Sequence, residues 1–387
     1  MEMISRIPRA ILFTLVLAAT FFVFLQATGT LAQKPKEEAR STTTWEQSDD
    51  GLKMRVEIRG KAEFTDDYTD IRDVSEGGFV RIEEDRYGQS RRYEVRRNSN
   101  GELRRTYYLN GDVHPLDREA QNWLAKIVLN AVRQSGIDAD KRVQTILRQR
   151  GLTGVLGEIA LISSDYAKGI YFKTLIKNGN LNAAALQSVL REAARQISSD
   201  YEQAQLLIGV APVLTGKEGA LTAFFEAVAT IKSDYEHKRV LAALLKDSTP
   251  GREVLIQIAR SAARMSSDYE KANVLKSVAA EYLDDRELRA VFFQTVATIE
   301  SDYEHRGILS ALLQNNKPSE EVLSGMLNSI SRMSSDYEKA TFLLEASRVY
   351  AGDTRLKESF LKAVETIKSD YERGRVLSAL IKNKQIG

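Results

Sequence analysis

The chain predicts an α+β protein, mostly α: a small antiparallel β-meander followed by a right-handed α-solenoid of about seven 34-residue helix-pair repeats, of tetratricopeptide or HEAT type. Three observations carry this. Ser-Asp-Tyr recurs with its aspartate at Asp165, Asp200, Asp234, Asp268, Asp302, Asp336 and Asp370, spaced by 35 residues and then five times by 34. A period held that closely marks one supersecondary unit copied in tandem. Between the motifs, apolar residues fall at helical spacing, as in Val240, Leu241, Leu244 and Leu245, which correspond to Ile308, Leu309, Leu312 and Leu313. Upstream, short runs alternate apolar and charged residues between tight-turn dipeptides, which is the pattern of hairpin-linked strands.

In chain order, residues 1–32 read as a signal peptide or N-terminal anchor. Arg6 and Arg9 precede an apolar run from Ala10 to Leu25, and small residues follow up to Ala32. The expected location is therefore exported: periplasmic, or held at the inner membrane by this segment with the remainder outside the cytoplasm. Residues 33–48 are polar and poorly patterned, the composition of a linker. Residues 49–116 hold the meander of about four or five strands, with Met54, Val56 and Ile58 on one face of the first. Asp50-Gly51, Asn100-Gly101 and Asn110-Gly111 supply the turns. Residues 117–150 predict two connecting helices, the first capped by Asp117 and striped with Trp123, Ile127, Val128 and Val132, the second closing before Gly151. The solenoid occupies 151–387.

Ser199, Ser233, Ser267, Ser301, Ser335 and Ser369 are expected helix N-caps. Each is followed three residues later by Glu, as in a capping box. The first copy departs, with Ala167 after Ser164. The aspartate falls at the first helical position, facing the positive end of the helix dipole, and the tyrosine is expected at the margin of the buried face, packing on the next repeat. A second period overlies the first. Copies alternate in type, so that His237 and His305 stand 68 residues apart.

Charge and chemistry narrow the function. With 55 basic and 53 acidic residues the net charge is +2, which gives no electrostatic ground for nucleic acid. Cysteine is absent, so disulfides and cysteine lipidation are excluded. No Gly-rich phosphate loop, Gly-x-Ser-x-Gly elbow or clustered metal-ligand motif occurs, and the histidines are His114, His237 and His305. No catalytic, cofactor-binding or metal-binding residue is therefore assigned. What remains is a non-catalytic scaffold that binds another envelope protein or an extended peptide segment. Candidate contact residues are those after the tyrosine that vary between copies: His237, Lys238, Arg239, His305, Arg306, Arg373 and Arg375. They would present cationic bands to a partly acidic partner. Two alternatives stand beside this: an enzyme with a motif-less site at the sheet–solenoid junction, and a binder of anionic envelope polymers through Arg91, Arg92, Arg96, Arg97, Arg104 and Arg105 of the sheet. Cross-strand pairing with Glu83, Glu84, Glu94 and Glu102 is the competing account of those arginines.

The runs Gly77 to Glu83, Arg91 to Arg97 and Gly101 to Tyr108, followed by Asn110-Gly111, Trp123 and the Ser-Asp-Tyr-Glu repeats, resemble a segment of bacterial envelope proteins. Some of these look like the soluble tail of membrane regulators of the beta-lactamase antirepressor type. The resemblance implies this fold and an envelope compartment. The zinc peptidase of such regulators does not carry over, because no histidine here begins the His-Glu-x-x-His motif that a zincin requires.

Overall fold

The computed structural model describes residues 42–49, 51–98, 100–214, 216–246, 250–279, 283–315, 318–350 and 354–382. The protein is α+β, with 62% of the described residues helical and an N-terminal antiparallel sheet followed by helices in a repeat-like arrangement. It divides into two compact units, residues 1–138 and 139–387. The expected leader and most of the expected linker lie outside the described residues. Among those described, no helix is long and apolar enough to cross a membrane.

The first unit is a six-stranded antiparallel sheet in the order β1-β2-β5-β6-β7-β8, with a separate β3-β4 hairpin. Its strands are β1 (Thr42–Asp49), β2 (Leu52–Arg59), β3 (Ala62–Phe64), β4 (Ile71–Val74), β5 (Phe79–Arg86), β6 (Gln89–Arg97), β7 (Leu103–Leu109) and β8 (Asp112–His114). The expected linker is thus shorter than its predicted bound of residue 48. Residues 42–49 form β1, registered Trp45 against Val56, and burial of Trp45 offsets the weak patterning that hid the strand. Asn110 and Gly111 both have positive φ, 50° and 94°, as a two-residue hairpin turn demands.

One face of the sheet is apolar. Met54, Val56, Val80, Ile82, Tyr93 and Val95 pack with Trp123, Leu124, Ile127 and Val128 of α1 (Arg118–Ser135). Asp117 caps that helix by accepting from Ala120 N–H at 2.9 Å. The two predicted connecting helices therefore part company. The first belongs to the sheet unit, because its stripe closes the sheet's core. The second is α2 (Ala139–Ile159), which belongs to the helical unit and runs on past Gly151 through a kink at φ 63°.

In the helical unit two sets of helices alternate along the chain. One comprises α4 (Ala183–Gln196), α6 (Glu218–Val228), α8 (Arg252–Ala262), α10 (Arg286–Val296), α12 (Glu320–Ile330) and α14 (Thr354–Glu365). The other comprises the helices that open on the motif: α3 (Asp165–Asn178), α5 (Asp200–Val210), α7 (Asp234–Lys246), α9 (Asp268–Ala279), α11 (Asp302–Asn315), α13 (Asp336–Tyr350) and α15 (Asp370–Lys382). Each motif helix packs on the next motif helix. One continuous apolar core runs between the sets, and Phe224, Phe292 and Phe360 recur in it, fully buried, at the 68-residue period.

Candidate ligand-binding surface

The motif aspartate sets the geometry of the site. Asp165, Asp200, Asp234, Asp268, Asp302 and Asp336 each turn one carboxylate oxygen to the following copy of the motif. There it accepts from two successive backbone N–H groups at 2.6–3.1 Å; Asp268, for example, receives Glu300 at 2.9 Å and Ser301 at 2.8 Å. Each aspartate thus clamps the start of the next motif helix. Burial opposes the charge on Asp336, but the N–H groups of Ser369 and Lys368, with the Lys339 ammonium, hold its carboxyl below the usual range.

Half of the expected capping box is present in each copy. Ser199, Ser233, Ser267, Ser301, Ser335 and Ser369 accept from the N–H three residues on at 3.3 Å. The reciprocal half is displaced, because the serine N–H is taken by the aspartate of the preceding copy. The glutamate is thereby freed to pair with cations. Glu236 binds Arg239, Glu270 binds Lys238, Glu304 binds Lys276, Glu338 binds Arg306 and Glu372 binds Arg375.

This arrangement corrects the expected contact surface. His237 and His305 are not on it: they are 3% and 4% exposed, with Nε2 2.8 Å from the hydroxyls of Ser261 and Ser329. Burial pushes both imidazoles down to about 4, against the pull of Asp234 and Asp302 and with the help of Arg264 and Arg332. In the alternate copies the same position holds Gln203, bonded to Ala227 O, and Lys271 and Lys339, bonded to Thr298 O and Thr366 O. The 68-residue alternation is therefore two solutions to one buried polar bridge. Lys238, Arg239, Arg306 and Arg375 carry their charge into glutamate pairs, and Arg373 pairs with Asp370. On the sheet, Arg81 bridges Glu57 and Glu94, Arg96 binds Glu94, and Arg92 lies 3.7 Å from the Tyr108 ring centre.

What the motif does expose is tyrosine. Tyr201, Tyr235, Tyr269, Tyr303, Tyr337 and Tyr371 are 54–75% exposed, one on each of six successive motif helices. The helical spacing itself contradicts the expected packing role. At about 100° per residue, the centre of the Ile308, Leu309, Leu312 and Leu313 stripe lies roughly 150° from Tyr303, on the far side of the helix. The rings are steadied by cations: Lys238 lies 4.8 Å from Tyr235, Arg306 lies 5.5 Å from Tyr303 and Arg375 lies 5.9 Å from Tyr371. Arg239 lies 5.8 Å from Tyr201 of the preceding copy while bound to Glu236 of its own, so neighbouring rings share one electrostatic frame.

Two other features have the outline of a site. A cavity of about 710 Å³ is lined by Leu221 and Phe225 of α6, by Val254 and Arg260 of α8, and by Ser261 and Arg264. Ser261 with His237 has the outline of a nucleophile and base. However, an imidazole held at about 4 is a weak base near neutrality, and the same pair recurs at Ser329 and His305 as a copied core contact. Among the described residues, no group of three or more His, Asp or Glu is placed to hold a metal ion. No protein family matches the chain, and neither curated proteins nor solved structures give a match.

Proposed function

We propose that the protein is a non-catalytic scaffold of the bacterial cell envelope that binds an extended protein or peptide segment along its row of motif tyrosines. The carrying observation is that six large aromatic side chains stand exposed at one equivalent position in consecutive copies. Isolated exposed aromatics need no explanation, but a periodic row of them does. A stacked helix-pair array read as a right-handed solenoid of tetratricopeptide or HEAT type supplies such surfaces, since each unit meets only its neighbours and a partner lying along it meets the same contact repeatedly. The partner is engaged by aromatic packing; with the neighbouring cations occupied by glutamates, charge contributes little. The envelope setting rests on the leader-like residues 1–32 and on the resemblance of the sheet and repeats to envelope proteins.

A displayed peptide library panned on the full chain tests this reading. Selected peptides should lose binding to a Tyr269→Ala/Tyr303→Ala/Tyr337→Ala variant and keep it for Arg191→Ala, a cation of α4 paired with Glu226 of α6. Peptides that bind both proteins alike would place the interaction elsewhere.

A further inference from the structure

We propose that the cavity beside α6 and α8 is a second binding site, which takes the free carboxy terminus of a peptide whose last residue is apolar. These two helices carry none of the motif tyrosines, so the site stands or falls apart from the tyrosine row. α4 packs closely on α6 and α8 on α10, but α6 and α8 meet little. A space of about 710 Å³ is left beside them, within the range of small-ligand pockets (roughly 300–1,000 Å³). The repeat alone does not produce this space. In the copy 68 residues on, the Phe293 ring seats on Gly325, where an added Cβ would lie 2.5 Å from the ring. The counterpart of Gly325 is Gln257, whose side chain denies that seat to Phe225, and Phe225 lines open space instead.

The lining sets the chemistry of the ligand. Leu214, Leu221, Phe225, Leu244 and Val254 supply an apolar floor. From Glu253 of α8, the lining residues Gln257, Ser261 and Arg264 follow at steps of four, four and three, along one helix face. Most charges around the cavity are already paired. Glu226 is held by Arg191 at 2.7 Å, Arg260 by Glu287 at 3.2 Å, and Glu253 accepts from the Gln257 amide at 2.8 Å. Arg264 is exposed and, among the described residues, has no ion pair or side-chain hydrogen bond. It ends the stripe, whereas Glu218 and Glu253 stand in the first turns of α6 and α8. The site therefore favours one carboxylate at the Arg264 end and repels a second at the other. An arginine fork matches a carboxylate bidentately. A fatty carboxylate would meet that cation, but its tail would cover the Thr222 hydroxyl and the Gln257 amide without pairing them. A peptide backbone pairs such groups, and an apolar last residue brings carboxylate and side chain on one Cα.

The test titrates fluorescein-labelled pentapeptides with free carboxy termini, ending in Leu, Phe, Val, Asp or Lys, into the full chain and follows anisotropy. Carboxy-amidated copies, and decanoate followed by calorimetry, are the comparison probes. Peptides ending in Leu, Phe or Val should bind, and amidation should weaken them roughly tenfold, as loss of a charged hydrogen bond does. Arg264→Gln should weaken the free acids by the same factor and leave the amides unchanged. Arg332→Gln, the equivalent change 68 residues on, should alter neither. Neither variant should move the thermal midpoint, because both side chains are exposed. Binding by no peptide, or free-acid binding that Arg264→Gln leaves intact, would overturn the site. Arg264-dependent binding of decanoate without peptide binding would overturn the peptide assignment. Free-acid binding lost in Tyr269→Ala/Tyr303→Ala/Tyr337→Ala but kept in Arg264→Gln would move the peptides to the tyrosine row and remove the cavity as their site.

Discussion

At the scale of single residues, the motif serine and aspartate do different jobs, and their contributions can be separated. Ser301 contributes one cap bond to its own helix, which is worth about 1 kcal/mol. Asp268 satisfies two N–H donors of the next copy with a charged acceptor, and its removal strands both. Asp268→Ala is expected to cost roughly 2–4 kcal/mol, more than Ser301→Ala, because hydrogen bonds to charged groups are the stronger kind. Asp370 is the internal control: its side chain is 91% exposed and paired with Arg373. Urea unfolding of the three alanine variants should rank Asp268 first, Ser301 second and Asp370 near wild type. Equal losses at Asp268 and Asp370 would mean that the clamp between copies contributes nothing.

At the scale of elements, the residue two positions after the tyrosine ties each of α5, α7, α9, α11 and α13 to the helix that follows or to the turn just after it. Where that residue is histidine, the tie depends on pH. His237 and His305 have folded values near 4, below the ordinary 6.5, so the unfolded chain binds their protons more readily. Their stabilisation is complete above about pH 6.5, falls as pH drops through that value, and is fully lost below about pH 4. Each histidine forfeits on the order of 3 kcal/mol across that window. The groups facing them are Asp234 and Arg264 for His237, and Asp302 and Arg332 for His305. Gln203 fills the equivalent place in another copy without titrating. His237→Gln/His305→Gln should therefore flatten the dependence of stability on pH between about 6.5 and 4.5. An unchanged slope would show that other groups carry it.

At the scale of the whole molecule, the distribution of charge decides which surface can bind what. Because the cations beside the tyrosines are paired, binding along the row should change little between about 0.1 M and 1 M salt, where screening lengths fall from about 10 to 3 Å. A steep salt dependence would restore the cationic-band reading that the ion pairs argue against. The proposed compartment is checked separately. A reporter active only in the cytoplasm, fused after residue 41, should be silent if residues 1–32 direct export. Full reporter activity would remove the envelope setting without touching the ligand row.

The sequence by itself determined the α+β division, the hairpin turns, the serine cap positions and the tandem array, because turn chemistry, capping and hydrophobic periodicity act over a few residues. The outward tyrosine was also within its reach, since the angle between Tyr303 and the apolar stripe follows from helix geometry alone. Strand β1 was hidden because Thr42–Asp49 carries a single apolar residue, Trp45, and so shows no alternation, and only pairing with β2 and burial of Trp45 make it a strand. The burial of His237 and the pairing of Lys238 with Glu270 were settled by the tertiary structure alone. So was the reach of Asp268 to Ser301, 33 residues away. A period of 34 shows that copies recur in tandem. It does not show which polar atoms the stacking brings together, because those distances depend on how one helix layer seats on the next.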